Sequence, residues 1–151
     1  MSDASDMIKL YSDRILALAA DIPHSERLDA PDASEMKRSP LCGSTVTIDV
    51  STEAGVVTHF GQDVKACALG QAAASVLGSA ISGQSLSTIR SGRDQLAAML
   101  KADGPPPSAP FDELKVLEPA KAFKNRHASV LLAFDATVSA LESLSKAKRQ
   151  K

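Results

Sequence analysis

Ile8, Tyr11, Ile15, Leu18 and Ile22 are spaced by alternating steps of three and four residues, which gathers them on one side of a helix. Pro23 ends that helix, because the residue before a proline avoids helical backbone. Residues 23–40 are polar and hold Pro23, Pro31 and Pro40, so a loop or a weak edge strand is expected there. From Thr45 the period drops to two. Val46, Ile48 and Val50 fall on one face and Thr45, Thr47 and Asp49 on the other, the pattern of a half-buried strand. A turn at Glu53-Ala54-Gly55 and a second strand over Val56 to Phe60 or a little beyond complete a hairpin.

After Cys67 the helical period returns in Leu69, Ala72, Ala73, Val76, Leu77, Ala80 and Ile81, and Gly83 stops it. Ser85 or Ser87 caps the next helix, which carries Ile89, Leu96, Met99 and Leu100 inward. Gly104-Pro105-Pro106-Pro107 ends it. A loop over 102–112 and a short helix from Phe111 to Leu117 follow. The last helix begins near Arg126 and buries Leu131, Phe134, Val138 and Leu141. Strands segregated from helices argue an α+β fold, a small antiparallel sheet of about three strands packed against helices, in a single domain spanning 1–151.

Composition narrows the functional classes. No run of about 18 apolar residues exists, so no membrane span is expected. The polar, acidic start from Met1 to Asp6 is unlike a signal peptide, which places the chain in the cytoplasm. A net charge of −1 argues against a phosphate-driven nucleic-acid binder, and the basic tail at 145–151 reads as a solvated, disordered terminus. The absence of tryptophan and the few phenylalanines leave little for base stacking. Two cysteines in a reducing compartment are buried thiols or chemistry rather than a disulfide.

The residues around those cysteines carry a resemblance. Ser39-Pro40-Leu41-Cys42-Gly43-Ser44, leading into a strand, resembles the first cysteine motif of NifU/IscU-type iron–sulfur cluster assembly scaffolds. Phe60-Gly61, then Ala66-Cys67-Ala68-Leu69-Gly70-Gln71-Ala72, resembles the second, and Leu10-Tyr11 also fits. The long segment between Cys67 and the last helix is similar to the insertion of the SufU-like branch, and the likeness runs from about Met7 to Leu144. It implies a SufE/NifU-like fold and a scaffold that holds a transient iron–sulfur cluster or a metal ion such as zinc. It also implies two kinds of partner, a cysteine desulfurase that supplies sulfur and apo iron–sulfur proteins that receive clusters.

The chain departs from the family pattern at two ligand positions. Ser44 stands where the family has aspartate, and Ser129 falls where its third cysteine would lie. A histidine directly before that cysteine marks the IscU branch, whereas His127 lies two before Ser129. Glu118-Pro119-Ala120-Lys121 is only a faint echo of the branch's chaperone motif, so no Hsp70-type partner is expected. Arg126 keeps the family's basic position, where it can balance an anionic cluster or attract persulfide sulfur, or lie solvated at a helix start.

Thiolates suit a cluster because they bind iron and zinc strongly and the metal deprotonates them. The expected metal ligands are Cys42, Cys67 and His127. A serine alkoxide is too basic to serve at neutral pH, so Ser129 is not counted among them. His127 is weighed against the roughly 200° that separates it from Ser129 on a helix. His24 and His59 read as surface residues and Asp63 as a turn acid. Three functions stay open: a scaffold with a reduced ligand set, in which a homodimer would pool four thiolates; a metal-free sulfur-transfer partner; and an interaction module that kept the fold and lost the site.

Overall fold

The computed structural model describes residues 12–40 and 43–149, the last three by backbone alone. Ile8, Leu10, Tyr11 and Cys42 therefore lie outside the described residues. The elements are α1 (Asp13–Ala20), β1 (Ala33–Arg38), β2 (Thr45–Glu53), β3 (Val56–Lys65), α2 (Ala68–Ala80), α3 (Leu86–Lys101), a 3-10 segment (Asp112–Ala122), a 3-10 turn (Lys124–Arg126) and α4 (His127–Arg149). The strands form one antiparallel sheet in the order β1-β2-β3.

Local chemistry sets the element ends. Ser12 Oγ accepts from the Ile15 N–H and starts α1. Ser85 does the same for α3 through the Thr88 N–H. The 3-10 segment is longer than the short helix expected at 111–117. Leu114, Leu117 and Ala120 recur every third residue, all fully buried, and Pro119 cannot donate to an α-helical ladder. α4 continues to Arg149, through most of the stretch read as a tail.

Helix α4 packs on β1 and β2 and against α2 and α3, while α1 packs on α2. Val46, Ile48 and Val50 point into this core as their period requires, meeting Leu69, Leu77, Val130 and Phe134 among the buried side chains. By length and composition α4 could cross a membrane, but most of it is buried inside the fold, as a core helix is.

The opposite face of the sheet is not simply solvated. Asp49 is fully buried, because the loop between α1 and β1 crosses over it. Arg27 grips its carboxylate with two bonds of 2.6 and 3.0 Å, and the Leu28 N–H and Ser34 hydroxyl also donate to it. Gly61 sits opposite Asp49, and a Cβ there would lie 2.3 Å from the Glu26 carbonyl oxygen. The missing side chain is what lets the loop lie on the strand.

Candidate functional site

The sheet register builds the site. Thr45, at the start of β2, lies opposite Lys65, at the end of β3. Cys42 precedes the one and Cys67 follows the other, so the described backbone on both sides leads to the same end of the sheet. Ser39 and Ser44 close the β1–β2 connection through the Ser39 N–H on the Ser44 carbonyl (2.8 Å), and Gly43 N–H donates to Ser39 (2.9 Å).

Cys67 is the N-cap residue of α2 and is partly exposed. Its sulfur is 3.5 Å from the Ser129 hydroxyl, which lies 3.1 Å from the Ser44 hydroxyl. All three come from different elements: the start of α2, the first turn of α4 and the residue before β2. Ser129 is 1 % exposed and has one proton. When the sulfur is a thiolate that proton goes to sulfur, and the Ser44 hydroxyl donates to Ser129. Gly70 permits the approach of α4, since a Cβ there would meet Ser129 Oγ at 2.8 Å and its carbonyl oxygen at 3.0 Å.

Burial pushes the Cys67 thiol up, but the groups favouring its thiolate outweigh that, and the net shift is downward. They are the Ser129 hydroxyl, the N–H groups of Gly70 and Leu69 at the opening of α2, and the Arg126 guanidinium. No side-chain cap bond to the helix is closed by the sulfur, so the backbone groups act on it as oriented dipoles. The result is a half-buried thiol that ionises more readily than an ordinary cysteine.

A search of solved structures gives a match to the N-terminal part of a nitrogen-fixing NifU-like protein from Brucella abortus. It is 40% identical, the match covers 93% of this chain and 98% of that one, and the TM-score is 0.91. The chain belongs to the NifU-like N-terminal family. Its fold is shared with a protein described as an iron–sulfur cluster assembly scaffold for the SUF system of Fervidobacterium islandicum AW-1 (17% identity, 87% and 96% coverage, TM-score 0.77). A hypothetical protein has the same fold (18% identity, 93% and 99% coverage, TM-score 0.78). No protein-family model and no curated protein matches the chain.

Of the residues singled out from the NifU-like motifs, Cys67, Ser129, Ser44 and Arg126 come together. His127 is 5 % exposed, and its Nε2 lies 3.1 and 3.2 Å from the carbonyl oxygens of Ala120 and Lys121. Carbonyls only accept, so Nε2 carries the proton and donates to them. The ring thereby ties α4 to the 3-10 segment, and two residues of helix separate it from Ser129. His24 packs edge-on against Phe60 with ring centroids 6.2 Å apart, and His59 is exposed beside Thr58. Asp63 is a strand residue opposite Thr47 rather than a turn acid, because β3 extends to Lys65. Among the described residues no three His, Cys, Asp or Glu side chains gather as a metal cluster. The Ser44–Ser129 bond has no signature in the sequence. Gly70 does, as a glycine in the first turn of an alanine-rich helix.

Proposed function

We propose that this NifU-like chain is an iron–sulfur cluster assembly scaffold with a reduced ligand set, a carrier rather than an enzyme. The observation that carries the reading is the Cys67 sulfur, held by Ser129 at the helix opening with Arg126 nearby. Family membership supports the general scaffold role.

Sulfur would arrive as persulfide on a cysteine desulfurase. The Cys67 thiolate attacks the terminal sulfur, a new S–S bond forms, the old one breaks, and the donor cysteine leaves as thiolate. Cys67 then carries the persulfide. A dithiol reductant releases the outer sulfur as sulfide and departs as a disulfide. Iron is the second substrate, held by the Cys67 and Cys42 thiolates. A [2Fe–2S] cluster takes four protein ligands. Two thiols per chain make that number when two chains share the cluster, which then passes to apo iron–sulfur proteins. His127 enters the ligand set, for iron or zinc, only through a ring nitrogen other than the one donating to Ala120 and Lys121.

Anaerobic reconstitution with iron and sulfide tests the scaffold reading on the wild type beside Cys42→Ser and Cys67→Ser. The expected result is a visible-absorbing cluster at about one iron per chain in a dimer, lost in both variants. A second reading, metal-free sulfur transfer, is favoured by one observation: the group beside the Cys67 sulfur is the Ser129 hydroxyl, which hydrogen-bonds it and adds no soft ligand. A wild type that forms no cluster, yet carries a persulfide on Cys67 after desulfurase and cysteine, establishes that reading.

A further inference from the structure

The 3-10 turn Lys124–Arg126 sends its two basic ends to different places, since two residues at three per turn are about 240° apart. Arg126 serves Cys67, while Lys124 lines a pocket of about 540 Å³ on another part of the surface. Lys101 from the end of α3 and Lys121 from the 3-10 segment complete a basic rim. Leu100 and Ala128 supply apolar wall.

The geometry points to this pocket as a binding site for a small organic anion with two or more carboxylate or phosphate groups. The pocket already recognises one such group. Asp103 takes a left-handed backbone (φ 56°) just beyond α3 and lays its carboxylate 3.0 Å from Lys121 Nζ. Lys101 and Lys124 make no ion pair within 4.0 Å among the described residues, and of the pocket's lining residues only Asp103 is acidic. The lining therefore carries two more positive charges than negative, while Asp135 acts on Lys101 and Glu118 on Lys121 from outside it. A ligand with at least two negative charges matches that excess.

The back of the pocket is built as well. His127 is buried, lines the cavity, and has its Nε2 committed to the Ala120 and Lys121 carbonyls. Its Nδ1 makes no hydrogen bond to any described residue, which leaves an acceptor for a ligand hydroxyl. His127 and Ala128 also open α4, a helix of 23 residues whose N-terminus favours negative charge. The carbon skeleton of the ligand would rest on Leu100 and Ala128.

The test is calorimetric titration of the full, metal-free chain at constant ionic strength with citrate, tricarballylate (citrate without its hydroxyl) and pyrophosphate. Lys101→Ala and Lys124→Ala are each expected to weaken binding about tenfold, the effect of one charge-assisted contact. Asp103→Ala strengthens it by freeing Lys121. Lys146→Ala, about 28 Å along α4 from His127, changes nothing. Cys67→Ser also leaves binding intact, so failure of the cluster reading and failure of this one are separable. Citrate ahead of tricarballylate assigns the hydroxyl to His127, and pyrophosphate ahead of both assigns phosphate as the preferred group. No heat up to about 10 mM of any probe, or equal losses in Lys124→Ala and Lys146→Ala, overturns the proposal.

Discussion

Ser129 Oγ lies 3.5 Å from Cys67 Sγ and 3.1 Å from Ser44 Oγ, so one buried hydroxyl links the sulfur to a second hydroxyl. The arrangement offers the sulfur hydrogen bonding rather than another thiolate beside it. A buried hydroxyl beside a half-buried sulfur stabilises the thiolate without competing for a metal. The consequence is testable through the thiol alone.

Ser129→Ala removes the hydroxyl that most strongly favours the Cys67 thiolate, leaving only the Gly70 and Leu69 N–H groups and Arg126 to oppose burial. The alkylation rate of Cys67 against pH should keep its shape and move its midpoint to higher pH. Measured with iodoacetamide in a Cys42→Ser background, an unmoved midpoint would show that Ser129 has no hold on the sulfur.

Ser129→Cys would add a soft ligand beside Cys67. Iron retained per chain after anaerobic reconstitution and desalting should rise above wild type, because a thiolate replaces a hydroxyl that does not ligate at neutral pH. Equal retention would mean that position 129 does not face the bound iron.

Gly70→Ala places a methyl within 3.0 Å of Ser129 and Ala66. Overpacking of this kind costs about 1–3 kcal/mol in urea unfolding. It also pushes α4 from α2, so the Cys67 reactivity profile should shift in the same direction as in Ser129→Ala. Loss of stability with an unchanged profile would separate the packing role from the chemical one.

Asp49 governs the acid limb of stability. Burial pushes its carboxyl up, but Arg27, Ser34 and the Leu28 N–H more than offset that and hold it below the ordinary carboxylate range. A folded-state value below the unfolded one gives stability that is complete above the unfolded value and lost as pH falls through the folded one. Urea midpoints between about pH 5 and about pH 2 should fall steeply in the wild type and less so in Asp49→Asn. Asp49→Ala should cost about 2 kcal/mol at neutral pH, since Leu28 N–H and Ser34 lose their acceptor.

Much of this was legible in the chain. Period two over Val46, Ile48 and Val50 and the three-four spacing after Cys67 reflect backbone geometry that repeats locally, so strand and helix could be read directly. Ser85 and the proline run marked ends for the same local reason. The cysteine motifs led to the family, and the hairpin set Thr45 opposite Lys65 at one end of the sheet.

Tertiary structure alone decided what the side chains do there. Asp49 alternates as a solvent-facing residue in sequence, yet a loop more than twenty positions earlier buries it against Arg27. Ser44 and Ser129, 85 residues apart, share a hydrogen bond that depends on how α4 packs on β2, and the bare Cα of Gly70 lets Ser129 come equally close to α2 and Cys67. His127 and Arg126 are neighbours in the chain and still part company, one toward the carbonyls of the 3-10 segment and one toward the sulfur. Periodicity records which face of an element is apolar, because burial repeats along it. Contacts between elements carry no such repeat, and only the packed chain fixes them.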